Sequence, residues 1–233
     1  MPEISVLMIT LNEENAIEKV IHDIQRATAG RDVEIVVVDS SKDRTPEIAA
    51  RLGARVVRQF PPQGYGRAME RALGETRGAV AVTLDCDDTY PAEQILPIAD
   101  QVLRGESDLV NASRLGHKPD AMPWPNYLAN VAFCVLARIL VGVKTTDLHS
   151  GMRAYSKPLL NELTFDGSGP ALPVELLLKP VMLGFTVSEV FIEYRERVGT
   201  STLQKWSSTV WTLRRILRCV PMRFRSSPRP SVI

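Results

Sequence analysis

The fold is decided by residues 33–60, which read VEIVVVDSSKDRTPEIAARLGARVVRQF. Residues 33–39 form a short, almost continuously apolar run rich in β-branched side chains, which is typical of a buried strand. An amphipathic stretch follows over 44–52, Gly53 ends it, and a second apolar run covers 54–60. The pattern predicts two parallel strands joined by a helix in a right-handed crossover.

The same alternation extends along the chain on both sides of this unit. Further strands are predicted over 4–10, 79–84 and 108–112. Further helices are predicted over 14–27, 66–76 and 92–103. Five strands that alternate with four helices indicate an α/β fold with a doubly wound, mostly parallel sheet and helices on both faces. Because ligands of such sheets bind beyond the carboxyl ends of the strands, a functional site is expected at that edge.

Beyond residue 113 the alternation stops. Three prolines predict an irregular loop over 115–126, and a continuously apolar helix over 127–143 follows, either buried or at an interface. Two more strands are expected over 151–156 and 186–194, with a helix between them that starts near Pro173.

The chain ends in a predicted basic amphipathic helix over 205–220. Apolar side chains form one stripe of this helix and basic side chains another: Trp206, Val210, Leu213 and Leu217 against Arg214, Arg215 and Arg218.

Charge is distributed unevenly along the 233 residues. Lys and Arg number 28 and Asp and Glu 27, yet the eight basic residues after Glu196 are accompanied by no acid. A basic tail on an acidic body indicates an anionic partner such as a phosphate, a nucleic acid or a lipid surface. A solvated, disordered end is the alternative.

The composition, 45% hydrophobic and 24% charged, is that of a compact soluble protein. The three cysteines lie far apart, and their odd number argues against a disulfide framework and a structural zinc site, which favours the cytosol. No apolar segment follows Met1, and no stretch reaches the roughly 20 apolar residues that a bilayer span needs. We therefore expect a chain that does not cross a membrane by itself.

Two carboxylates follow the strand over 79–84. In an extended chain residues i and i+2 lie on the same side, so Asp85 and Asp87 can converge on one hard cation at the sheet edge. Mg²⁺ or Mn²⁺ fits, because such ions take few protein carboxylates and complete their shell with water and substrate phosphates. The alternative is capping of the next helix, for which Asp88 is well placed.

Three other strand ends supply polar groups to the same edge. Asp39 ends the second strand, and its carboxylate can accept hydrogen bonds from a nucleobase or ribose. The first strand ends at Thr10, with Asn12 and Glu13 just after it. Gly64 precedes a predicted helix, where the backbone can approach a ligand and free N–H groups can face an anion. The first strand is not followed by a glycine-rich phosphate loop, which argues against a nucleotidyltransferase and a dehydrogenase.

Together these residues resemble the family 2 glycosyltransferases of the GT-A fold, and within them the dolichol-phosphate mannose synthase or polyprenyl-phosphate glycosyltransferase branch. The resemblance covers residues 4–206 and rests on the order and spacing of six motifs. These are 10–13 (TLNE), 38–45 (VDSSKDRT), 85–87 (DCD), 113–114 (SR), 147–155 (DLHSGMRAY) and 197–201 (RVGTS).

The resemblance implies a GT-A catalytic domain over 1–204, with a nucleotide-binding half over 1–112 and an acceptor half over 113–204. The basic helix and tail then occupy 205–233. It also implies three sets of site residues. On the donor side these are Thr10, Asn12, Glu13 and Asp39 for the nucleotide, and Asp85 and Asp87 for the divalent ion at its diphosphate. Those expected to meet the acceptor phosphate are Arg114, Ser150 and Arg153, and those expected to close over the site are Arg197 and the Gly199-Thr200-Ser201 loop.

The chain departs from the family pattern in three places. Asp39 stands alone where two adjacent acids and a glycine are usual, and Thr89 stands where an amide or histidine commonly follows the metal motif. Ser201 is followed by Thr202 rather than by a lysine, which Lys205 could replace. The second and third departures bear on donor affinity.

The activity implied is that of an inverting, metal-dependent transferase that moves a hexose from a UDP- or GDP-sugar to a polyprenyl phosphate. A phosphate monoester is already an anion near neutral pH and needs no general base. A hydroxyl acceptor would need a carboxylate to take its proton, and Asp147 and then Glu175 are the candidates. The alternatives are a transferase for a soluble hydroxyl acceptor and a catalytically silent nucleotide-sugar-binding module.

A lipid-linked acceptor implies a cytoplasmic protein at the cytoplasmic face of the membrane. The helix over 127–143 and the tail helix would lie on the anionic surface, or a membrane protein would hold the chain there. Packing of both helices on the core is the alternative. No nucleic-acid partner is expected.

Overall fold

The structure is a computed structural model that describes residues 1–198 and 205–223, without the side chains of 205 and 206. The strands in this part of the chain are β1 Ile4–Thr10, β2 Val33–Asp39, β3 Arg55–Arg58, β4 Val80–Thr83, β5 Leu109–Ser113, β6 Arg153–Ser156 and β7 Val187–Phe191. The α-helices are α1 Ile17–Ala27, α2 Thr45–Arg51, α3 Tyr65–Gly74, α4 Ile95–Leu103, α5 Trp124–Val141, α6 Lys157–Glu162, α7 Leu172–Leu183 and α8 Lys205–Arg223.

One sheet joins the seven strands in the order β3-β2-β1-β4-β6-β5-β7. Strand β6 runs antiparallel to β4 and β5, and the other pairs are parallel. Alternating side chains of β1 enter two different cores. Ile4 and Val6 belong to the core that includes residues of α1, α2 and α4, whereas Leu7 belongs to the core that includes residues of α3, α5, α7 and α8. The predicted α/β class, with a mostly parallel sheet and helices on both faces, is confirmed.

The first half follows the predicted order of elements closely. β1 and β2 have the predicted bounds, but α1 starts at Ile17 rather than at residue 14. The backbone N–H groups of Glu13 and Glu14 donate instead to side-chain oxygens of Thr45 and Asp43, at 2.9 and 3.2 Å. The residues before α1 are therefore tied to the loop between β2 and α2, and the two loops form one edge of the sheet.

The predicted loop over 115–126 is shorter in the structure, because α5 already begins at Trp124. Pro123 is its N-cap and Pro125 lies in its first turn, where a missing N–H leaves no hydrogen bond unmade. Prolines that begin a helix were thus misread as breakers. Helix α6 was not predicted; Ser156 caps it by accepting from the Leu159 N–H at 3.3 Å.

Helix α5 has 18 residues and a mean hydropathy of 1.3, with 17% of the residues buried. By length and composition alone it could cross a membrane, which differs from the expectation that no segment could. Its inner face, at Cys134, Ala137 and Val141, packs on the core.

Both α5 and α8 carry an apolar stripe that faces away from the core. On α5 the stripe includes Trp124, Leu128, Val135 and Ile139, and on α8 it includes Val210, Leu213 and Leu217. The inner face of α8 packs on α5 and α7. The predicted basic face of α8 divides, since Arg214 and Arg218 are exposed and Arg215 is fully buried.

Candidate active site

A cavity opens at the carboxyl ends of β1 and β4, beside the N-terminus of α3. Six of the site residues expected from the sequence line it: Thr10, Glu13, Gly64, Asp85, Asp87 and Arg197. They come from distant parts of the chain, and the crossover topology brings them to one edge. Gly64 has a φ of 90°, a conformation that favours glycine, and the first turn of α3 follows it. The free N–H groups of that turn suit an anion such as a diphosphate.

Three carboxylates meet in this cavity, and their charge is poorly compensated. Burial and the nearby charge of Asp87 raise the pKa of Asp85 to about 7. Burial, opposed by Arg197, raises the pKa of Glu13 to about 7. Carboxylates crowded in this way attract a cation. The carboxylates of Asp85 and Asp87 are therefore suitable ligands for one divalent ion.

Within the described ranges no three His, Cys, Asp or Glu side chains form a ready-made ion site. Two carboxylates suit an ion that takes its remaining ligands from water and substrate phosphates. The third departure from the family pattern lies outside the described residues, as does Ser201 with the rest of the 199–201 loop.

The turn after β4 is held in a strained form. Asp88 adopts a φ of 63° and pairs with Lys19 at 2.7 Å. Thr89 donates to Asp87 Oδ1 through its N–H at 3.2 Å and its hydroxyl at 2.6 Å. At the position where the family commonly has an amide or histidine, Thr89 thus orients the Asp87 carboxylate.

Arg197 lines the cavity next to two of its carboxylates. Its Nη1 lies 3.2 Å from Asp87 Oδ2, and its Nη2 lies 3.8 Å from Glu13 Oε1. The Val198 N–H donates to the backbone oxygen of Asp87 at 3.0 Å. The segment after β7 is therefore anchored to the carboxylate turn by both its backbone and its charge.

Asp39 and Asn12 are not among the residues that line the cavity. Asp39 is fully buried; it accepts from the Thr10 hydroxyl at 2.7 Å and pairs with Arg58. Asn12 is exposed, and its Oδ1 accepts from the Lys42 N–H at 2.9 Å. Both residues shape the loops around the nucleotide side, and direct contact with a nucleotide stays a prediction.

Arg58 was not found by sequence reasoning. It lies opposite Asp39 in the register of β2 and β3, and 46% of its side chain is exposed. The usable signal was the opposite charge at the last position of two adjacent parallel strands.

Among the residues expected to meet the acceptor, the charge of Arg114 is paired. Arg114 Nε lies 2.6 Å from Asp147 Oδ2, and its Nη2 lies 2.9 Å from Oδ1. Although burial opposes it, the Arg114 guanidinium holds the pKa of Asp147 below its usual value. The guanidinium also lies 5.1 Å from the centre of the Tyr194 ring. Asp147 is thus an ionised partner that orients Arg114, a geometry that does not suit the general base that a hydroxyl acceptor would need.

Arg153 does not reach the acceptor side as expected. Its guanidinium is buried and donates to Asn111 Oδ1 at 2.8 Å, to the Leu148 oxygen at 3.0 Å and to the Pro173 oxygen. It does not pair with Asp147 either. Because β6 lies inside the sheet, the guanidinium donates its hydrogen bonds to buried oxygens of the protein and not to a ligand.

Two other candidates also have internal partners. The Ser150 hydroxyl donates to the Ala112 oxygen at 2.5 Å. Glu175 is buried, pairs with Arg215 and lies 2.5 Å from Lys179 Nζ. Glu175 is therefore engaged in holding α8 against α7 and is not free to act as a base.

The sequence matches a known family along most of its length. The model of the family described as Glycosyl transferase family 2 matches residues 5–164. A dolichyl-phosphate hexose transferase of Haloferax volcanii is 42% identical over 224 residues, which cover 96% of this chain and 96% of that protein. A dolichol-phosphate mannosyltransferase of Pyrococcus furiosus is 29% identical over 187 residues, which cover 76% of this chain and 53% of that protein.

Solved structures show the same arrangement of elements. Glucosyl-3-phosphoglycerate synthase of Mycobacterium tuberculosis, in complex with Mn²⁺, UDP and phosphoglyceric acid, has a TM-score of 0.74 at 27% identity. The match covers 94% of this chain and 78% of that one. Mannosyl-3-phosphoglycerate synthase of Rubrobacter xylanophilus, at 18% identity, has a TM-score of 0.72 and shares the fold, over 100% of this chain and 79% of that one.

Proposed function

The chain belongs to glycosyl transferase family 2 and is a glycosyltransferase, and from that premise we propose that it moves a hexose from a UDP- or GDP-sugar to a polyprenyl phosphate with inversion. The observation that carries the proposal is the cavity where Asp85, Asp87 and Glu13 meet Arg197 and the N-terminus of α3. The named acceptor of the 42% identical relative supports the acceptor class. The UDP complex of the structural neighbour supports the donor class.

The donor would lie with its diphosphate between the first turn of α3 and the carboxylates. Thr10 and Glu13 line the side of the cavity nearest β1 and β2, where the nucleoside would sit. Gly64 lets the diphosphate approach the backbone N–H groups of α3 closely. Arg197, already within 3.2 Å of Asp87, carries a positive charge that can meet the leaving diphosphate.

Asp85 and Asp87 would hold Mg²⁺ or Mn²⁺. When bound, the ion acts as a Lewis acid that stabilises the negative charge of the departing nucleoside diphosphate. The protein residues position the donor, and Thr89 keeps the Asp87 carboxylate in place.

The acceptor phosphate would bind at Arg114. Its guanidinium is fixed by two hydrogen bonds to Asp147 and by the Tyr194 ring, so little conformational freedom is lost when it binds an anion. Neither carboxylate considered as a base, Asp147 or Glu175, is free to take a proton. A phosphate oxygen needs no such base, which favours a phosphate acceptor over a hydroxyl.

The exposed stripes of α5 and α8 support a position at the cytoplasmic face of a membrane. Neither helix contains an acidic residue, and Arg138, Arg214 and Arg218 are exposed beside the stripes. Helices with an apolar stripe and basic neighbours bind anionic lipid surfaces, and each basic residue near the surface adds about 1 kcal/mol. A membrane protein that covers the same stripes is the other way to hold the chain there.

A panel assay tests the proposal. UDP- and GDP-hexoses are offered with a short polyprenyl phosphate, with 3-phosphoglycerate and with simple sugar hydroxyls, in Mg²⁺ or Mn²⁺. Transfer to polyprenyl phosphate alone supports it. Transfer to phosphoglycerate, the ligand of the structural neighbour, would assign a soluble hydroxyl acceptor instead. Donor binding without turnover would indicate a silent binding module.

A further inference from the structure

His149 lies in the loop between α5 and β6, where this loop contacts both α5 and α8. Its Nδ1 is 2.8 Å from Asn130 Oδ1 on α5, and its Nε2 is 2.8 Å from Thr212 Oγ1 on α8. The Phe133 ring of α5 packs beside it, with ring centres 5.7 Å apart. His149 has no role in the proposed binding of donor or acceptor, although in the sequence it lies between Asp147 and Ser150.

The hydrogen bonds define the form of the imidazole. Asn130 Nδ2 donates to the Asn126 oxygen at 3.0 Å, so Asn130 Oδ1 is the acceptor that faces His149. The ring therefore carries a proton on Nδ1, and when the ring is neutral Nε2 accepts from Thr212. Thr212 has one hydroxyl proton, shared between Nε2 and the Ser208 oxygen at 2.8 Å. Burial lowers the pKa of His149 to about 4, which agrees with a neutral ring near pH 7.

The backbone of His149 continues this connection to the site. Its N–H donates to Asp147 Oδ1 at 3.0 Å, and the same oxygen accepts from Arg114 Nη2 at 2.9 Å. The ring is thus fixed by two helices, while the peptide group of the same residue fixes the carboxylate that orients Arg114. A shift of α5 against α8 would move both anchors of the ring.

We propose that His149 is a positioning residue that sets the Asp147–Arg114 pair from the relative placement of α5 and α8. The outer faces of these helices carry the exposed apolar stripes, so contact with a surface can be relayed to the acceptor side through a single side chain. The effect on acceptor binding rests on the proposed function. The attachment of residues 147–151 to α5 and α8 through His149 does not rest on it.

The most specific test removes one hydroxyl on α8, outside the residues that line the cavity. Thr212→Val keeps the shape of the side chain and deletes only the group that bonds His149 Nε2, and Thr212→Ser restores the hydroxyl as the matched control. Both are made in the full chain. Asn130→Ala removes the anchor on α5 and carries the same prediction if Thr212→Val folds poorly.

Two measurements are made on each variant. Amide hydrogen exchange without substrates reports on residues 147–151 and, for comparison, on residues 10–13 at the donor side. Steady-state kinetics with a short polyprenyl phosphate reports KM and kcat, and donor hydrolysis without acceptor reports on the donor site. Loss of one hydrogen bond predicts an increase in acceptor KM of about two- to tenfold.

The proposal expects faster exchange at 147–151 in Thr212→Val but not at 10–13. It also expects a raised acceptor KM with unchanged kcat and donor hydrolysis, and recovery in Thr212→Ser. Unchanged exchange at 147–151 would overturn it, as would equal losses on the donor and acceptor sides, which mark a merely structural role. If the wild-type protein does not use polyprenyl phosphate, the proposed function fails, whereas the exchange result still decides whether His149 fastens the loop.

Discussion

Two aspartates of the candidate site, one on its proposed donor side and one on its proposed acceptor side, have pKa values shifted in opposite directions. Asp85 and Asp147 are both aspartates at the carboxyl edge of the sheet, yet the pKa of Asp85 is raised to about 7 and that of Asp147 is lowered. Asp85 has a second carboxylate as its neighbour, and Asp147 has the guanidinium of Arg114. Unbalanced charge marks where the protein needs a ligand, whereas balanced charge marks a side chain that orients another.

The largest effect is expected at the unbalanced side. Asp87→Asn should lower the rate of transfer by about 10²–10³-fold, because a charge that stabilises the leaving group through the ion is lost. The matched control is Asp88→Asn: this neighbouring carboxylate pairs with Lys19, and its φ of 63° is one that asparagine tolerates. Steady-state kinetics should show near-normal transfer for the control. Equal activity of both variants would remove the distinction between the two acids.

Asp147→Asn should lower the stability of the protein as well as its affinity for the acceptor. Breaking a buried ion pair leaves the Arg114 charge uncompensated, which costs about 3–5 kcal/mol of unfolding free energy. Urea unfolding measures this loss. Were Asp147 instead the general base, the variant would lose kcat and the acidic limb of its pH–rate profile with little change in stability, and the acceptor side would need a different account.

The apolar stripes should control membrane association. Leu217→Glu and Ile139→Glu each remove several CH₂ groups that the membrane would bury, worth about 0.8 kcal/mol apiece, and should weaken binding to anionic vesicles about tenfold or more. Leu183→Glu, at another exposed leucine outside both stripes, is the control. Vesicle co-sedimentation decides the matter. If the three variants bind alike, the stripes are not the membrane contact.

A smaller effect should appear in the pH dependence of the ion-free protein. The folded pKa of Asp85 lies above its unfolded value, so the folded state binds more protons and the ionised group destabilises it as pH rises toward and beyond 7. Asp85→Asn should therefore raise Tm at pH 7.5 by about 2–4 °C for each kcal/mol relieved. The gain should shrink at pH 5.

The Tm of wild type and of Asp85→Asn must be compared at the same pH, because His149 changes the stability of both proteins with pH in the opposite direction. Its pKa is lowered to about 4 in the folded protein, so the folded state loses stability as pH falls below about 6.5. That contribution is common to wild type and Asp85→Asn and cancels in the difference. A gain that is equal at pH 5 and pH 7.5 would show that Asp85 does not titrate between them.

The sequence predicted what depends on neighbours along the chain. The bounds of β1 and β2 follow from short apolar runs, and Asp85 and Asp87 reach the same cavity because they lie two residues apart after a strand. What it missed depends on partners far away in sequence. Arg153 donates hydrogen bonds to Asn111 and to the backbone oxygens of Leu148 and Pro173. No local sequence pattern shows that Arg114 forms an ion pair with Asp147.

The central claim is that Asp85 and Asp87 share one divalent ion in the cavity that also takes the nucleotide. Titration of Mn²⁺ by electron paramagnetic resonance, with UDP present, tests it on wild type, Asp87→Asn and Asp88→Asn. The account predicts one tight ion per wild-type and Asp88→Asn chain, and affinity at least about tenfold weaker in Asp87→Asn. Equal affinity in all three proteins would contradict it.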